Sequence, residues 1–129
     1  MIGTKAPLYI ACLDLFVWIS RTVNGDDTPA AAAVPGRRLQ HTALLLSETV
    51  SLALQFPGDR AANLLRADGL LARMRVQVQA VRELKGLTIR QAAYAVQQMS
   101  AIGRMIGGWR ASVQPKTPQS PMSADPQQV

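Results

Sequence analysis

The chain has 129 residues and a formal net charge of +6 at pH 7, and eleven of its fourteen basic residues are Arg. This length predicts one domain with a modest core. The sequence is 48% hydrophobic but only 5% aromatic, which favours helices over strands. The single cysteine, Cys12, excludes an internal disulfide and predicts a buried thiol in a reducing, cytoplasmic compartment. The basic balance indicates nucleic acid or another acidic partner, the alternative being a small basic protein that is merely soluble.

A nearly continuous apolar run lies near the N-terminus, from Leu8 to Ile19, and only Asp14 interrupts it. The run is shorter than the roughly 20 residues that a membrane span requires. A signal peptide is the alternative, but no convincing small-residue cleavage site follows. We therefore expect no membrane segment and predict a buried helix over about residues 7–22, ended by Asn24 and Gly25.

The second helix is predicted over about residues 37–55, after a loop from Asp26 to Gly36. The four alanines of that loop could form a turn of helix, which Pro29 and Pro35 would confine. The sole histidine, His41, has no second histidine or cysteine nearby, so we expect no metal site. The apolar residues of this helix recur at helical spacing: Leu39, Ala43, Leu46, Val50 and Leu54.

The third helix is predicted over about residues 59–84, after a turn signal at Phe56–Asp59 that offers Asp59 as the N-cap. Its back also carries apolar residues, at Leu65, Ala72 and Val76. A helix that is apolar on two sides usually packs on both, so this back is a candidate subunit interface. The predicted core face comprises Ala67, Leu70, Leu71, Met74, Val78 and Val81.

The fourth helix is predicted over about residues 88–113, with Thr88 as its N-cap. Gly103 and Gly107 are four apart, which predicts the close approach of a neighbouring helix, and Trp109 would close the end of the core. Beyond the helix, a proline-rich segment at 115–129 predicts a disordered tail. The whole pattern predicts an all-α, antiparallel four-helix bundle. The apolar stripe of the fourth helix comprises Ala92, Val96, Met99, Gly103 and Ile106.

Motifs for catalysis are absent from the sequence. It contains no Gly-rich phosphate loop, and its carboxylates are scattered, with no pair spaced for acid/base work. We therefore expect no catalytic residue, no cofactor and no enzymatic activity. A binding surface remains, and the scarcity of exposed aromatic residues favours recognition of a nucleic-acid backbone over its bases. The candidate nucleic-acid or partner-binding residues are Arg37, Arg38, Arg60, Arg66, Arg73, Arg75, Arg82 and Arg90.

A longer motif lies in the fourth helix, and it runs Ile102-Gly103-Arg104-Met105-Ile106-Gly107-Gly108-Trp109. It resembles the C-terminal signature of the accessory variability determinant (Avd) family of diversity-generating retroelements. That family is similar to the four-helix proteins encoded in ribosomal RNA intervening sequences. The likeness covers about residues 68–109, with Ala93 departing from the bulkier residue of many relatives. The turn before this helix also resembles the family: Glu83-Leu84-Lys85-Gly86-Leu87-Thr88-Ile89-Arg90-Gln91.

The resemblance implies a homopentameric barrel of four-helix subunits with basic surfaces. Its implied partners are a reverse transcriptase and the template-repeat RNA used for mutagenic cDNA synthesis, with the cDNA as a further candidate. Arg75 and Arg82 lie in the helix that serves these contacts in relatives, whereas Gln79 stands where relatives often carry Arg. Arg104 belongs to the signature and is expected to bond a neighbouring helix end. The alternative is a structural adaptor that binds protein partners without nucleic acid.

Overall fold

The structure is a computed structural model, and it describes residues 6–113. Four α-helices make up most of this range. They are α1 (Ala6–Val23), α2 (Ala33–Gln55), α3 (Arg60–Glu83) and α4 (Ile89–Val113). Each helix packs against the next, and α4 returns to α1, which is the arrangement of a four-helix bundle. The described residues contain no strand, so the all-α prediction is confirmed, while the predicted tail at 115–129 lies outside them. Among these four helices, none has an apolar stretch of the length that a membrane span requires.

On α2 and α3, the core is built from the faces that helical periodicity predicted. All six residues of the predicted α3 core face are buried, and four of the five predicted on α2 are buried, with Leu54 partly buried beside them. The N-terminal apolar run forms α1 and buries Leu8, Cys12, Leu15 and Ile19. Burial raises the pKa of the Cys12 thiol to about 12, because the thiolate would lose its hydration there.

The connection between α1 and α2 is shorter than the sequence predicted. A 3₁₀ turn at Ala30–Ala32 leads directly into α2, which begins at Ala33 rather than near residue 37. Pro29 precedes the 3₁₀ turn and Pro35 lies in the first turn of α2. A proline is tolerated there because the first turn of a helix leaves its N–H groups without intrahelical partners. The alanines therefore form the helical turn that the sequence allowed, but Pro35 does not confine it, because α2 continues through that residue.

The turn between α3 and α4, Leu84–Thr88, is held by local hydrogen bonds. The Gly86 N–H donates to the Val81 carbonyl at 2.8 Å and the Lys85 N–H to the Arg82 carbonyl at 3.0 Å, with Lys85 at φ 68°. This is the Schellman pattern that ends many helices. A side-chain pair then starts α4 and confirms the predicted cap. The Gln91 N–H donates to Thr88 Oγ1 at 3.0 Å, and the Thr88 N–H donates to Gln91 Oε1 at 2.9 Å, as in a capping box.

The turn between α2 and α3, Phe56–Asp59, is held differently. Asp59 stands at the N-cap position of α3, but its side chain makes no capping hydrogen bond, so the predicted capping role is wrong. The Asp59 N–H donates instead to the Phe56 carbonyl, which closes a 3₁₀ turn at Pro57–Asp59. The Asp59 backbone is outside the extended conformation of a usual N-cap, with ψ 9°, and this accounts for the missing bond.

Helix α4 differs from its predicted pattern at two places. Val96 is exposed although it was predicted in the apolar stripe. Gly107 and Gly108 face open space, and a Cβ at Gly103 would meet Leu71 Cδ1 at an ordinary 3.7 Å. The predicted close approach of a helix at the glycines is therefore wrong within the subunit. Both differences arise because α4 is rotated about its axis relative to the predicted orientation. Its buried face comprises Ala92, Ala95, Met99, Ile102, Ile106 and Trp109.

Candidate nucleic-acid interface

The arginines of the bundle differ in whether their charge is already engaged. Arg60 is engaged: its Nε donates to the Ala53 carbonyl at 2.7 Å and a terminal nitrogen donates to the Leu54 carbonyl at 3.1 Å. Its guanidinium also lies 5.2 Å from the centroid of the Trp109 ring, which is 5% exposed. Arg60 is thus placed to hold the C-terminal end of α2 over the core, a structural role that its sequence position did not reveal.

Two further arginines have protein partners. Arg110 on α4 pairs with Asp68 on α3 at 2.5 Å, with both side chains about one-third exposed. Sequence reasoning missed this pair, because the two residues lie 42 positions apart and no local pattern links them. Arg66 is exposed and donates to Asn63 Oδ1 at 2.6 Å, which leaves most of its donors open to solvent.

A pocket between α2 and α3, the α2/α3 pocket, brings together basic residues that are distant in sequence. It has a volume of about 310 Å³, and Arg37, Arg38 and His41 from α2 and Arg73 from α3 line it. Val34 and Thr42 complete the lining, so the pocket contains no carboxylate. Ion pairs are seen for Arg82 and Arg110 among residues 6–113, and none involves the pocket arginines. Their positive potential is therefore open to an external anion.

A second and larger depression, the α3/α4 groove, has a volume of about 760 Å³. Arg75, Gln79 and Arg82 follow one another along its α3 side, because their spacing of four and three residues keeps them on one helix face. Its α4 side is mostly apolar and includes Ile89, whose side chain is 74% exposed. The structure thus places Arg75 and Arg82 together, as their heptad spacing indicated. Other residues lining the groove are Val78, Ala92, Ala93, Val96 and Gln97.

Arg82 has an internal partner as well, the carboxylate of Glu83 at 2.9 Å. An ion pair between exposed neighbours contributes little to stability, so it leaves Arg82 available to a ligand. Arg90 and Arg104 are exposed on α4 and line neither the pocket nor the groove. The expected bond from Arg104 to a neighbouring helix end is not seen within residues 6–113, where Arg110 bridges α4 to α3 instead.

The outward side of α3 carries an uncovered apolar strip, the α3 outer face, formed by Leu65, Gly69, Ala72 and Val76. Val76 is 69% and Leu65 58% exposed, and Gly69 faces open space. The sequence predicted that this side of α3 would be apolar outside the core, and that part is confirmed. Its use as a subunit interface stays a prediction.

The chemistry available to these surfaces is binding through charge and hydrogen bonds. Within residues 6–113, no three His, Cys, Asp or Glu side chains group as they would around a metal ion. The guanidinium groups offer forked donors suited to phosphate oxygens. No protein-family model, curated protein or solved structure matches this chain, so the family resemblance depends on the sequence motifs of α4 and of the turn before it.

Proposed function

We propose that this chain is a non-enzymatic accessory protein of a diversity-generating retroelement. It binds the reverse transcriptase and its template RNA through basic surfaces and thereby supports mutagenic cDNA synthesis. The observation that carries the binding part is the placement of Arg75 and Arg82 on one side of an open groove. The retroelement context comes from the resemblance of the α4 motif to Avd proteins.

The electrostatics of the surface support RNA as the ligand. Phosphate neutralisation by Arg and Lys dominates nucleic-acid affinity, and Arg supplies most of the positive charge of this chain. The bases would be read little, because few aromatic side chains are exposed for stacking; Tyr94 is exposed but lies against Trp18, with ring centroids 4.8 Å apart. Recognition would therefore depend on the backbone and shape of the RNA.

The groove arginines provide the direct test. We expect Arg75→Gln together with Arg82→Gln to weaken RNA binding and to flatten the slope of log affinity against log salt, by about 0.7 for each single-stranded phosphate that is no longer neutralised. The measurement is a salt-titrated gel shift with retroelement RNA. The matched control, Arg21→Gln with Arg104→Gln, removes the same charge from exposed positions outside the groove and should keep the wild-type slope.

Two results would contradict the assignment of the groove. One is a double variant that melts early yet binds RNA with wild-type salt dependence, because Arg75 and Arg82 would then be structural. The other is an equal loss of RNA affinity in the control variant, because RNA binding would then depend on net charge and not on the groove. Circular dichroism melting of both variants separates these results from unfolding, and exposed substitutions should change the free energy of unfolding by only about 0.5 kcal/mol.

The proposed protein is a homo-oligomer, and the same resemblance implies a pentamer. The subunits would contact one another through the α3 outer face. We expect Val76→Asp to dissociate the assembly, because an unpaired carboxylate would be buried at the contact. Each bundle should keep its helicity, since Val76 is exposed in the subunit. Light scattering at micromolar concentration measures the mass, and a monomeric wild-type protein would refute the assembly.

The competing function is an adaptor that binds protein partners without nucleic acid. The apolar α4 side of the α3/α4 groove favours it, because exposed Ile89 and Val96 give an RNA backbone nothing to bind. A pull-down with nuclease-treated reverse transcriptase discriminates between the two. Capture of the polymerase without RNA, combined with no gel shift at low salt, would support the adaptor and reject RNA binding.

A further inference from the structure

The α2/α3 pocket has a composition that no other depression described on this subunit shares. Arg37, Arg38, His41 and Arg73 make up four of its six lining residues. The depression between α1 and α2 is lined by Glu48 and by no arginine. The depression beside the α2–α3 turn holds one arginine and the carboxylate of Asp59. The α3/α4 groove holds two arginines beside a mostly apolar side, so the α2/α3 pocket carries the densest positive charge of these depressions.

This concentration is not balanced inside the subunit. Like charges held close together repel one another, and neighbouring carboxylates usually relieve that repulsion. None lines this pocket, and the ion pairs seen among residues 6–113 involve Arg82 and Arg110 elsewhere. The Thr42 hydroxyl, which donates to the Arg38 carbonyl at 3.0 Å, is neutral and so cannot offset the positive charge. A ligand that supplies several negative charges would relieve the repulsion.

The donor set and the size of the pocket narrow the class of ligand. Guanidinium groups present planar forks that match the oxygens of a phosphate group two at a time. An imidazole N–H adds a donor in either protonation state. A volume of about 310 Å³ admits a phosphate group with its ester substituent, and Val34 is the only aliphatic residue in the lining. The α3/α4 groove, in contrast, has an extended apolar side.

We infer that the α2/α3 pocket is a discrete phosphate-binding site in which Arg37, Arg38 and Arg73 hold the phosphate oxygens and His41 donates a further hydrogen bond. The site draws on two helices, so the phosphate also ties α2 to α3. The phosphate belongs either to a nucleic-acid backbone or to a small phosphorylated molecule. The inference does not rest on the proposed function, because the pocket requires a phosphate group and no particular macromolecule.

The test uses the full chain and inorganic phosphate as the probe. His41 is the only histidine, so its imidazole NMR signals report on the pocket without assignment of the whole spectrum. At constant ionic strength, we expect those signals to shift saturably with phosphate. Arg37→Gln with Arg73→Gln should weaken binding about a hundredfold, because two charged hydrogen bonds are removed and each contributes about tenfold in affinity. Arg21→Gln with Arg104→Gln, equal in charge, should bind within about twofold of wild type.

A second arm identifies the source of the phosphate. A single-stranded RNA oligonucleotide that displaces bound inorganic phosphate identifies the pocket as a backbone site. Phosphate that stays bound in the presence of excess RNA, whether or not the RNA binds elsewhere on the chain, identifies a site for a small phosphorylated molecule and supports the pocket. The inference is overturned if the shift does not saturate, or if both double variants bind phosphate equally while retaining wild-type helicity.

Discussion

The two tight turns of the bundle look similar in sequence but are stabilised by different interactions. The α3–α4 turn is closed by bonds among its own residues, with Lys85 and Gly86 ending one helix and Thr88 starting the next. The α2–α3 turn lacks a side-chain cap at Asp59. Its preceding helix end is held instead by Arg60, which donates to the Ala53 and Leu54 carbonyls.

This difference shows that the fold can engage an arginine in internal hydrogen bonds, so that it does not contribute to a binding surface. Arg60 is the first residue of α3, where the helix dipole disfavours a cation, but its guanidinium reaches the C-terminal carbonyls of α2, where the dipole favours one. Arg37 lies on a helix surface with no such carbonyls among its described partners and lines the α2/α3 pocket. A count of arginines along the chain does not distinguish these two roles.

The largest effect is expected at Arg60. Arg60→Ala removes two charged hydrogen bonds and the contact with the Trp109 ring, and we expect it to lower the free energy of unfolding by about 2 kcal/mol. Arg37→Ala, the matched control, should change it by only about 0.5 kcal/mol because its side chain is exposed. Urea denaturation measures both values. Equal decreases in the free energy of unfolding at the two positions would show that Arg60 is no more structural than the surface residue Arg37.

Gly86 is expected to give the next largest effect. A Cβ there would lie 2.7 Å from both Ala32 Cβ and Val81 Cγ1, so Gly86→Ala should lower the free energy of unfolding by about 1.5 kcal/mol through overpacking. Gly58 occupies the other turn and faces open space, so Gly58→Ala should be nearly neutral. Thermal melting of the two variants compares the turns directly. If Gly58→Ala destabilised the protein more than Gly86→Ala, the α2–α3 turn would be the more tightly packed of the two.

Thr88 should show a smaller effect. Thr88→Ala leaves the Gln91 N–H without its side-chain acceptor, which typically costs about 1 kcal/mol of stability. Thr88→Ser keeps a hydroxyl in place and should restore most of that stability. Hydrogen exchange at the Gln91 amide reports the local effect. Wild-type protection of that amide in Thr88→Ala would show that the cap contributes nothing.

The smallest effect is expected at the corresponding position of the other turn. Asp59 makes no capping bond, so Asp59→Ala should change the free energy of unfolding by only about 0.5 kcal/mol. Urea denaturation under the conditions used for Thr88→Ala measures this value. A decrease of about 1 kcal/mol or more, the usual value for a cap, would mean that Asp59 caps α3 in solution, and the two turns would then be alike.

Helical periodicity predicted the helices and the core well because it is a local property. The spacing of Leu70, Met74 and Val78 is sufficient to place them on one side of α3, and all three are buried. The cap at Thr88 could also be identified, because a cap and its helix are contiguous, whereas the same signal at Asp59 was wrong because the backbone there is not extended. The start of α2 was missed because proline was treated as a break, although Pro35 fits the first turn.

The sequence by itself determined the helical class, the buried faces of α2 and α3 and the heptad pairing of Arg75 with Arg82. Only the tertiary structure decided which arginines have partners distant in sequence, because such contacts depend on how helices rotate and slide against one another. That packing brings Arg73 to the same pocket as Arg37 and Arg38 and Arg110 to Asp68, and it exposes Val96. Residues far apart along the chain carry no local signal of their proximity, so the grouping of charge on the surface emerged from the fold.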